Sequence, residues 1–183
     1  MKRDHALLVE YFMGQDSIYI AAVSGRRLFI KVTARDEVLE RHIALLLRQL
    51  AEPNVMEYAN DTALFGAFTR SARVVYLQLL APVMDAVGTP VRELIVVPDG
   101  MLCYLPFEVL LTEPVPSGTA GYGSLPYLIR KFPVRYDYSA TLAIEETAGS
   151  RLRMISYAGF APDFSTLVAT REEVEACRKL LHG

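Results

Sequence analysis

The residues LIVVPDGMLCYLPFEVLL, from Leu94 to Leu111, carry the most specific pattern in this sequence. The segment begins with the apolar run Leu94–Val97, which is typical of a strand buried on both faces, and we expect this strand near the centre of a sheet. Pro98–Gly100 then end the strand in a tight turn. The following residues return apolar side chains to the core, and Pro106 argues against a second central strand there.

Upstream of this segment, three ranges are rich in Val, Ile, Tyr and Phe and are separated by short turn sequences. The pattern predicts an antiparallel meander whose strands cover residues 6–13, 17–24 and 27–33. Tyr11, Tyr19 and Phe29 are the candidates for cross-strand packing.

Helical spacing of apolar residues predicts two helices between the meander and the central segment. The first helix covers residues 36–50. The second begins at Asp61, a good N-cap, and ends close to Pro82.

Strand and helix patterns alternate downstream of the central segment, which indicates crossover connections and a mainly parallel sheet. After a loop, the predicted elements are a strand, a helix capped by Ser139, a second strand and a helix that begins at Thr170 with capping-box spacing. They cover residues 112–124 (loop), 133–138, 140–147, 153–160 and 170–181.

The fold class is therefore α/β, with a mainly parallel sheet flanked by helices and preceded by a small antiparallel meander. We expect two portions. Residues 1–90 hold the antiparallel strands and two helices, and residues 91–183 hold the α/β portion.

Charge and composition exclude several classes of function. The net charge is −2 and the isoelectric point is about 5.9, so the chain lacks the basic surface that nucleic acids require. No apolar run is long enough to cross a membrane, so we expect no membrane partner. The two cysteines, Cys103 and Cys177, have no Cys-x-x-Cys spacing, which argues against a disulfide framework and predicts a cytoplasmic location.

Few residues are candidates for catalysis. The histidines are His5, His42 and His182, and each is better explained as a surface, packing or chain-end residue than as a base or a metal ligand. Cys103 lies in an apolar stretch, and we expect it to be a small buried hydrophobic residue. For Cys177, on the last predicted helix, we expect a structural or surface role.

Two further features have structural explanations. Asp99 and Glu108 lie in and after the tight turn, where carboxylates usually hydrogen-bond backbone amides, and we expect Asp99 to cap its own turn. Gly121–Gly123 offers a Gly-x-Gly pattern without the third glycine or the preceding strand of a phosphate-binding loop. We therefore predict no catalytic residue, no cofactor-binding residue and no metal ligand in this chain.

In combination, four stretches resemble the CHAT domain, a caspase- and separase-related family that is usually attached to tetratricopeptide repeats in bacterial proteins. They are LLVEYFMGQDSIYIAAV near the N-terminus, the segment Leu94–Leu111, YLIRKFPVRYDYSAT from Tyr127 to Thr141, and AGFAP followed by TREEVEACRKLLHG. Leu94–Leu111 is the most specific, because its Pro-Asp-Gly and Leu-Pro-Phe-Glu pattern is similar to that of the family.

The resemblance implies a caspase-like α/β sandwich and, in active members, cysteine endopeptidase chemistry by a His–Cys dyad. In such members each of the two residues ends a later strand, and the histidine typically precedes a glycine. His182 precedes Gly183 but follows a predicted helix, so we do not assign the catalytic histidine to it, nor the catalytic cysteine to Cys103 or Cys177. We expect the N-terminal portion of a CHAT domain, truncated at its C-terminal end, with any dyad beyond residue 183.

Three functions stay open. The first is a non-catalytic scaffold or regulatory portion of a caspase-like cysteine peptidase, whose partner is the remainder of the parent chain with its tetratricopeptide repeats. The second is a stand-alone protein-interaction module that binds a partner through the small sheet and the loop over 112–124. The third is a small-molecule-binding enzyme of open α/β type, although its glycine motif is missing. We also expect self-association, because the strand over 153–159 would leave an edge unpaired or because the helix over 170–181 would swap onto a neighbouring copy.

Overall fold

A computed structural model of the chain describes residues 5–51, 61–88, 90–116, 119 and 121–148, together with residues 175 and 179. The chain divides into two compact units, residues 1–148 and 149–183. The predicted strand over 153–160 lies outside the described residues. Of the predicted helix over 170–181, Glu175 and Lys179 are described, and both are helical.

The first unit is built on a five-stranded sheet with the order β3-β2-β1-β4-β5. Its strands are β1 (Ala6–Met13), β2 (Ser17–Ser24), β3 (Arg27–Ala34), β4 (Glu93–Val97) and β5 (Val134–Tyr136). The meander β1–β2–β3 is antiparallel, as predicted, whereas β4 runs parallel to both β1 and β5. The α/β fold class is confirmed.

The middle strand of the sheet is β1, and β4 lies beside it, between β1 and β5. Ile95 and Val97 of β4 are 1% and 4% exposed, and Val96, on the opposite face, is fully buried, as expected for a strand buried on both faces. The parallel pairing of Ala6 with Glu93 joins strands from both of the predicted portions in one sheet. The division at residue 90 stays a prediction.

Three helices connect β3 to β4 in the described residues: α1 (Glu37–Ala51), α2 (Thr62–Leu79) and α3 (Ala81–Val87). Asp61 caps α2 as predicted, because its Oδ1 accepts hydrogen bonds from Ala63 N at 2.8 Å and Leu64 N at 3.0 Å. The short helix α3, with Pro82 in its first turn, was not predicted.

After β4 the chain passes through four 3₁₀ turns, Gly100–Tyr104, Phe107–Val109, Tyr122–Ser124 and Leu128–Arg130, before it enters β5. The helix α4 (Ala140–Ala148) follows β5, and Ser139 caps it by accepting a hydrogen bond from Leu142 N at 3.2 Å. Among the described residues, no helix combines the length and the apolar character needed to cross a membrane.

The two faces of the sheet are covered differently. Alternate residues of β1, starting with Leu7, point to the face on which α1, α2 and α3 form the main core. The residues between them, starting with Ala6, point to the opposite face. There Ala6, Leu8 and Ile95 pack against Ala143 of α4.

On this second face, the meander presents large apolar side chains to solvent. We name the surface that they form the open face. They are Phe12 (63% exposed), Tyr19 (47%), Leu28 (61%), Ile30 (65%) and Val32 (58%). The strand register brings these side chains together. Phe12 lies opposite Tyr19, and Ala21, on the same face of β2 as Tyr19, lies opposite Ile30. α4 therefore covers one half of this sheet face, and the other half is the open face.

Candidate functional site

The tight turn after β4 is bonded to the end of β1. Asp99 Oδ2 accepts a hydrogen bond from Met13 N at 2.8 Å, and no hydrogen bond joins the Asp99 side chain to its own turn. The expectation that Asp99 caps its turn was wrong. The parallel pairing of β1 with β4 places the last residue of β1 beside the carboxylate, so Asp99 links two neighbouring strands at their carboxyl ends.

Gly100 makes this link sterically tight. Its φ of 55° is in the left-handed region, which side chains other than glycine rarely adopt. A Cβ atom added at Gly100 would lie 2.9 Å from the sulfur of Met13. The glycine of the Pro-Asp-Gly turn is therefore favoured by its backbone conformation, and a side chain at this position would displace the side chain of Met13.

A tyrosine on β5 holds the next part of the segment. Phe107 N donates a hydrogen bond to the hydroxyl of Tyr136 at 2.7 Å, and this hydroxyl donates to Glu108 Oε2 at 2.6 Å. Burial, together with the hydrogen bond to Glu108, raises the pKa of Tyr136 well above its ordinary value. The hydroxyl therefore keeps its proton. We expected Glu108 to accept a hydrogen bond from a backbone amide, but it accepts one from the side chain of Tyr136.

A second tyrosine, Tyr11, packs against the same segment in the main core. Tyr11 of β1 is 3% exposed, and its ring centroid lies 5.3 Å from that of Phe107. Its hydroxyl donates a hydrogen bond to the carbonyl of Leu79, the last residue of α2, at 3.1 Å. Burial raises the pKa of Tyr11 far above its ordinary value, so this hydroxyl stays protonated and can donate the hydrogen bond to Leu79.

Sequence reasoning missed the roles of Tyr11 and Tyr136. Tyr11 was predicted to pack across strands, but not to bond to a helix end. Tyr136 was predicted as a strand residue, and no local pattern links it to Phe107, 29 residues earlier in the chain.

His42 lies at the contact of α1 with α2, where its Nδ1 is 3.0 Å from the hydroxyl oxygen of Ser71. Burial, and then the positive charges of Arg70 and Arg41, lower the pKa of His42 below its ordinary value of 6.5. Because Ser71 is only 1% exposed, a substrate cannot reach its hydroxyl. The pair joins two helices.

The other predicted site residues are not brought together by the structure. His5 precedes β1, and its carbonyl accepts a hydrogen bond from Arg92 N at 2.8 Å. Cys103 is exposed in the first 3₁₀ turn, so the expectation of a buried hydrophobic residue was wrong. His182 and Cys177 lie outside the described residues.

A groove of about 550 Å³ lies at the carboxyl ends of β1 and β4 and includes part of the open face. Its lining includes Phe12, Tyr19, Ile30, Val97, Tyr138 and the two carboxylate residues Glu10 and Asp99. Glu10 Oε1 accepts a hydrogen bond from Ala140 N at 3.2 Å, and Asp99 is held by β1, so both carboxylates already have donors. The aromatic and aliphatic side chains of its lining suit the groove to binding apolar groups.

Gly121–Gly123, the weak Gly-x-Gly pattern, does not form a phosphate-binding loop. Gly121 precedes a three-residue 3₁₀ turn rather than the first turn of an α-helix. Over the ranges that the structure describes, no three His, Cys, Asp or Glu side chains are grouped as ligands of a metal ion would be.

A family model for the CHAT domain matches residues 69–183. The chain belongs to the CHAT domain family. This family is caspase-like and related to cysteine peptidases. No curated protein matches the chain.

In this CHAT domain, the most specific segment of the sequence serves the architecture. Leu102, Leu105, Phe107, Leu110 and Leu111 are each at most 2% exposed. The two carboxylates of the segment, on Asp99 and Glu108, are bonded to β1 and β5. The segment thus connects the ends of three strands to the main core.

Proposed function

We propose that this chain is the non-catalytic scaffold portion of a caspase-like cysteine peptidase and that the catalytic half belongs to the remainder of the parent chain. The observation that carries the proposal is that the carboxylates of Asp99 and Glu108 both make structural hydrogen bonds. These carboxylates lie in the segment most typical of the family, and both are engaged in hydrogen bonds that hold strands together. Carboxylates with these partners stabilise the sheet, and we infer that catalytic residues lie elsewhere in the parent protein.

The open face supports a scaffold role. Its five large side chains, each about half exposed, amount to roughly 400–500 Å² of contiguous apolar surface, a size at which surface patches often mark binding sites. α4 packs on the same sheet face beside it. We infer that a further part of the parent protein, which we expect to contain tetratricopeptide repeats and to reside in the cytoplasm, packs on the open face.

A peptidase assay tests the non-catalytic part of the proposal. The chain should not cleave a panel of peptides with Arg, Lys or Asp before the cut site, because no histidine partner is identified for Cys103. Turnover that disappears in Cys103→Ala or Cys177→Ala would contradict the proposal, since it would show a nucleophile in this chain. A Cys103→Ser variant separates loss of a thiol nucleophile from loss of folding.

The coding sequence after residue 183 tests the scaffold part. The proposal expects a strand followed by His-Gly and, further on, a strand followed by Cys. In a parent protein with that dyad, Tyr19→Ser on the open face should reduce peptidase activity, whereas Tyr104→Ser should not. Tyr104 is the matched control because it is 77% exposed, lies in the first 3₁₀ turn and is not an open-face residue.

The groove that includes part of the open face favours a second function, that of a stand-alone protein-interaction module. Phe12 and Tyr19 line the groove with ring centroids 6.1 Å apart, an arrangement suited to receiving an apolar side chain. Absence of a His-Gly and Cys pair from the parent protein would leave this module as the function.

A further inference from the structure

The strand β3 forms one edge of the sheet. It pairs with β2 along its whole length, and in the part of the chain that the structure describes it has no second neighbour. A regular strand of eight residues at an edge presents a row of backbone donors and acceptors that another strand can use.

The pairing with β2 shows which backbone groups of β3 face outward. Arg35 N donates a hydrogen bond to Asp16 O at 3.0 Å, so the backbone groups of Arg35 point to β2. In an antiparallel pair, the groups that point to the neighbour alternate along the strand. The N–H and C=O groups of Leu28, Ile30 and Val32 therefore point away from β2, toward the free edge.

We propose that a second copy of this chain pairs with β3 in antiparallel orientation, about a two-fold axis at Ile30. In this register Ile30 lies opposite the partner's Ile30, and Leu28 lies opposite the partner's Val32. These are the residues whose backbone groups face outward, so the register forms hydrogen-bonded pairs along the edge. On the open face it also aligns branched apolar side chains, which stabilise cross-strand pairs.

The charges of β3 favour this register over the two registers nearest to it. With the axis at Ile30, Lys31 lies opposite the partner's Phe29, and Arg27 lies opposite the partner's Thr33. A register shifted by two residues would place Arg27 opposite the partner's Lys31, or Lys31 opposite the partner's Lys31. Like charges that lie directly opposite each other destabilise a strand pair. Basic residues on an edge usually prevent pairing, but in the proposed register they meet uncharged residues.

The dimer goes beyond the scaffold role and does not depend on it. It joins the sheets of two copies edge to edge and brings their open faces side by side, leaving both available to other parts of the parent protein. It uses β3, the edge opposite to the one that β5 forms in the described residues.

Sedimentation velocity over a concentration series tests the dimer, with Thr33 as the register-specific position. Thr33→Glu should tighten the dimer, and Thr33→Lys should weaken it, each by about fivefold in Kd, because each dimer contains two symmetric pairs with Arg27. A monomer at every concentration would overturn the proposal. Dimerisation that both substitutions leave unchanged would overturn the register.

A second pair of variants separates edge pairing from association through the open face. Ile30→Pro removes an outward N–H and should abolish the dimer, while a retained far-ultraviolet circular dichroism spectrum shows that the fold persists. Tyr19→Ser removes apolar surface from the open face and should leave the dimer intact. The opposite result, association lost in Tyr19→Ser and kept in Ile30→Pro, would contradict the proposal. If Ile30→Pro does not fold, Thr33→Lys decides.

Discussion

Substitution of Gly100 by alanine tests whether the end of β1 constrains the Pro-Asp-Gly turn. An alanine at a φ of 55° costs about 1–2 kcal/mol in backbone strain, partly offset by about 0.4–1 kcal/mol from the less flexible unfolded chain. The new Cβ would also lie 2.9 Å from the sulfur of Met13, which must move. Overpacking costs about 1–3 kcal/mol, and the flexible methionine side chain keeps the cost near the lower limit. We expect a total destabilisation of about 2 kcal/mol.

Gly88 provides the matched control. Its φ is 62°, and an added Cβ would have no atom within 4 Å, so Gly88→Ala carries the strain without the contact. It should cost about 1 kcal/mol in the free energy of unfolding, measured by urea denaturation. In the background Met13→Ala, the excess cost of Gly100→Ala over Gly88→Ala should disappear. Equal costs for the two glycine substitutions in the unmodified background would refute the steric argument.

Two further predictions concern the core and the helix contact. Ile95→Ala should lower the free energy of unfolding by about 2–5 kcal/mol, because Ile95 is 1% exposed. Ile129→Ala, at a residue that is 48% exposed, should cost much less, and similar costs would contradict the assigned burial. His42 has a lower pKa in the folded chain than its ordinary 6.5, so as the pH falls below about 6.5 the unfolded chain takes up the proton first and stability is lost. Urea midpoints at about pH 7.5 and pH 5.5 should therefore differ less in His42→Gln than in the unmodified chain. An unchanged difference in His42→Gln would refute this.

The strands and helix starts could be predicted from the sequence because their signals are local. The alternation in the meander, the apolar run of β4, and the caps Asp61 and Ser139 each depend on residues that are close together in the chain. The short helix α3 was missed because it begins directly after α2 and has only seven residues. So short a helix shows too little periodicity to be recognised.

The contacts of the candidate site could not be predicted, because they join distant parts of the chain. Asp99 was expected to bond locally, but the parallel pairing of β1 with β4 provides Met13 N, 86 residues away, as its donor. Cys103 was expected to be buried because its neighbours are apolar. In the 3₁₀ turn, Leu102 points to the core and Cys103 to solvent, a distinction that depends on the turn geometry rather than on composition.

The position of β1 has a consequence during synthesis. β2 directly follows β1 and can pair with it as soon as it leaves the ribosome, and β3 can then pair with β2. Glu93, the residue that pairs with Ala6, is made much later. At about 5–20 residues per second, the second edge of β1 waits for roughly 4–16 s. β1 has neither proline nor lysine, and Ala6–Val9 are apolar, so Glu10 is the one charged residue of β1 that discourages pairing with other chains. The yield of folded protein in a cell therefore depends on how well nascent chains are kept apart during those seconds.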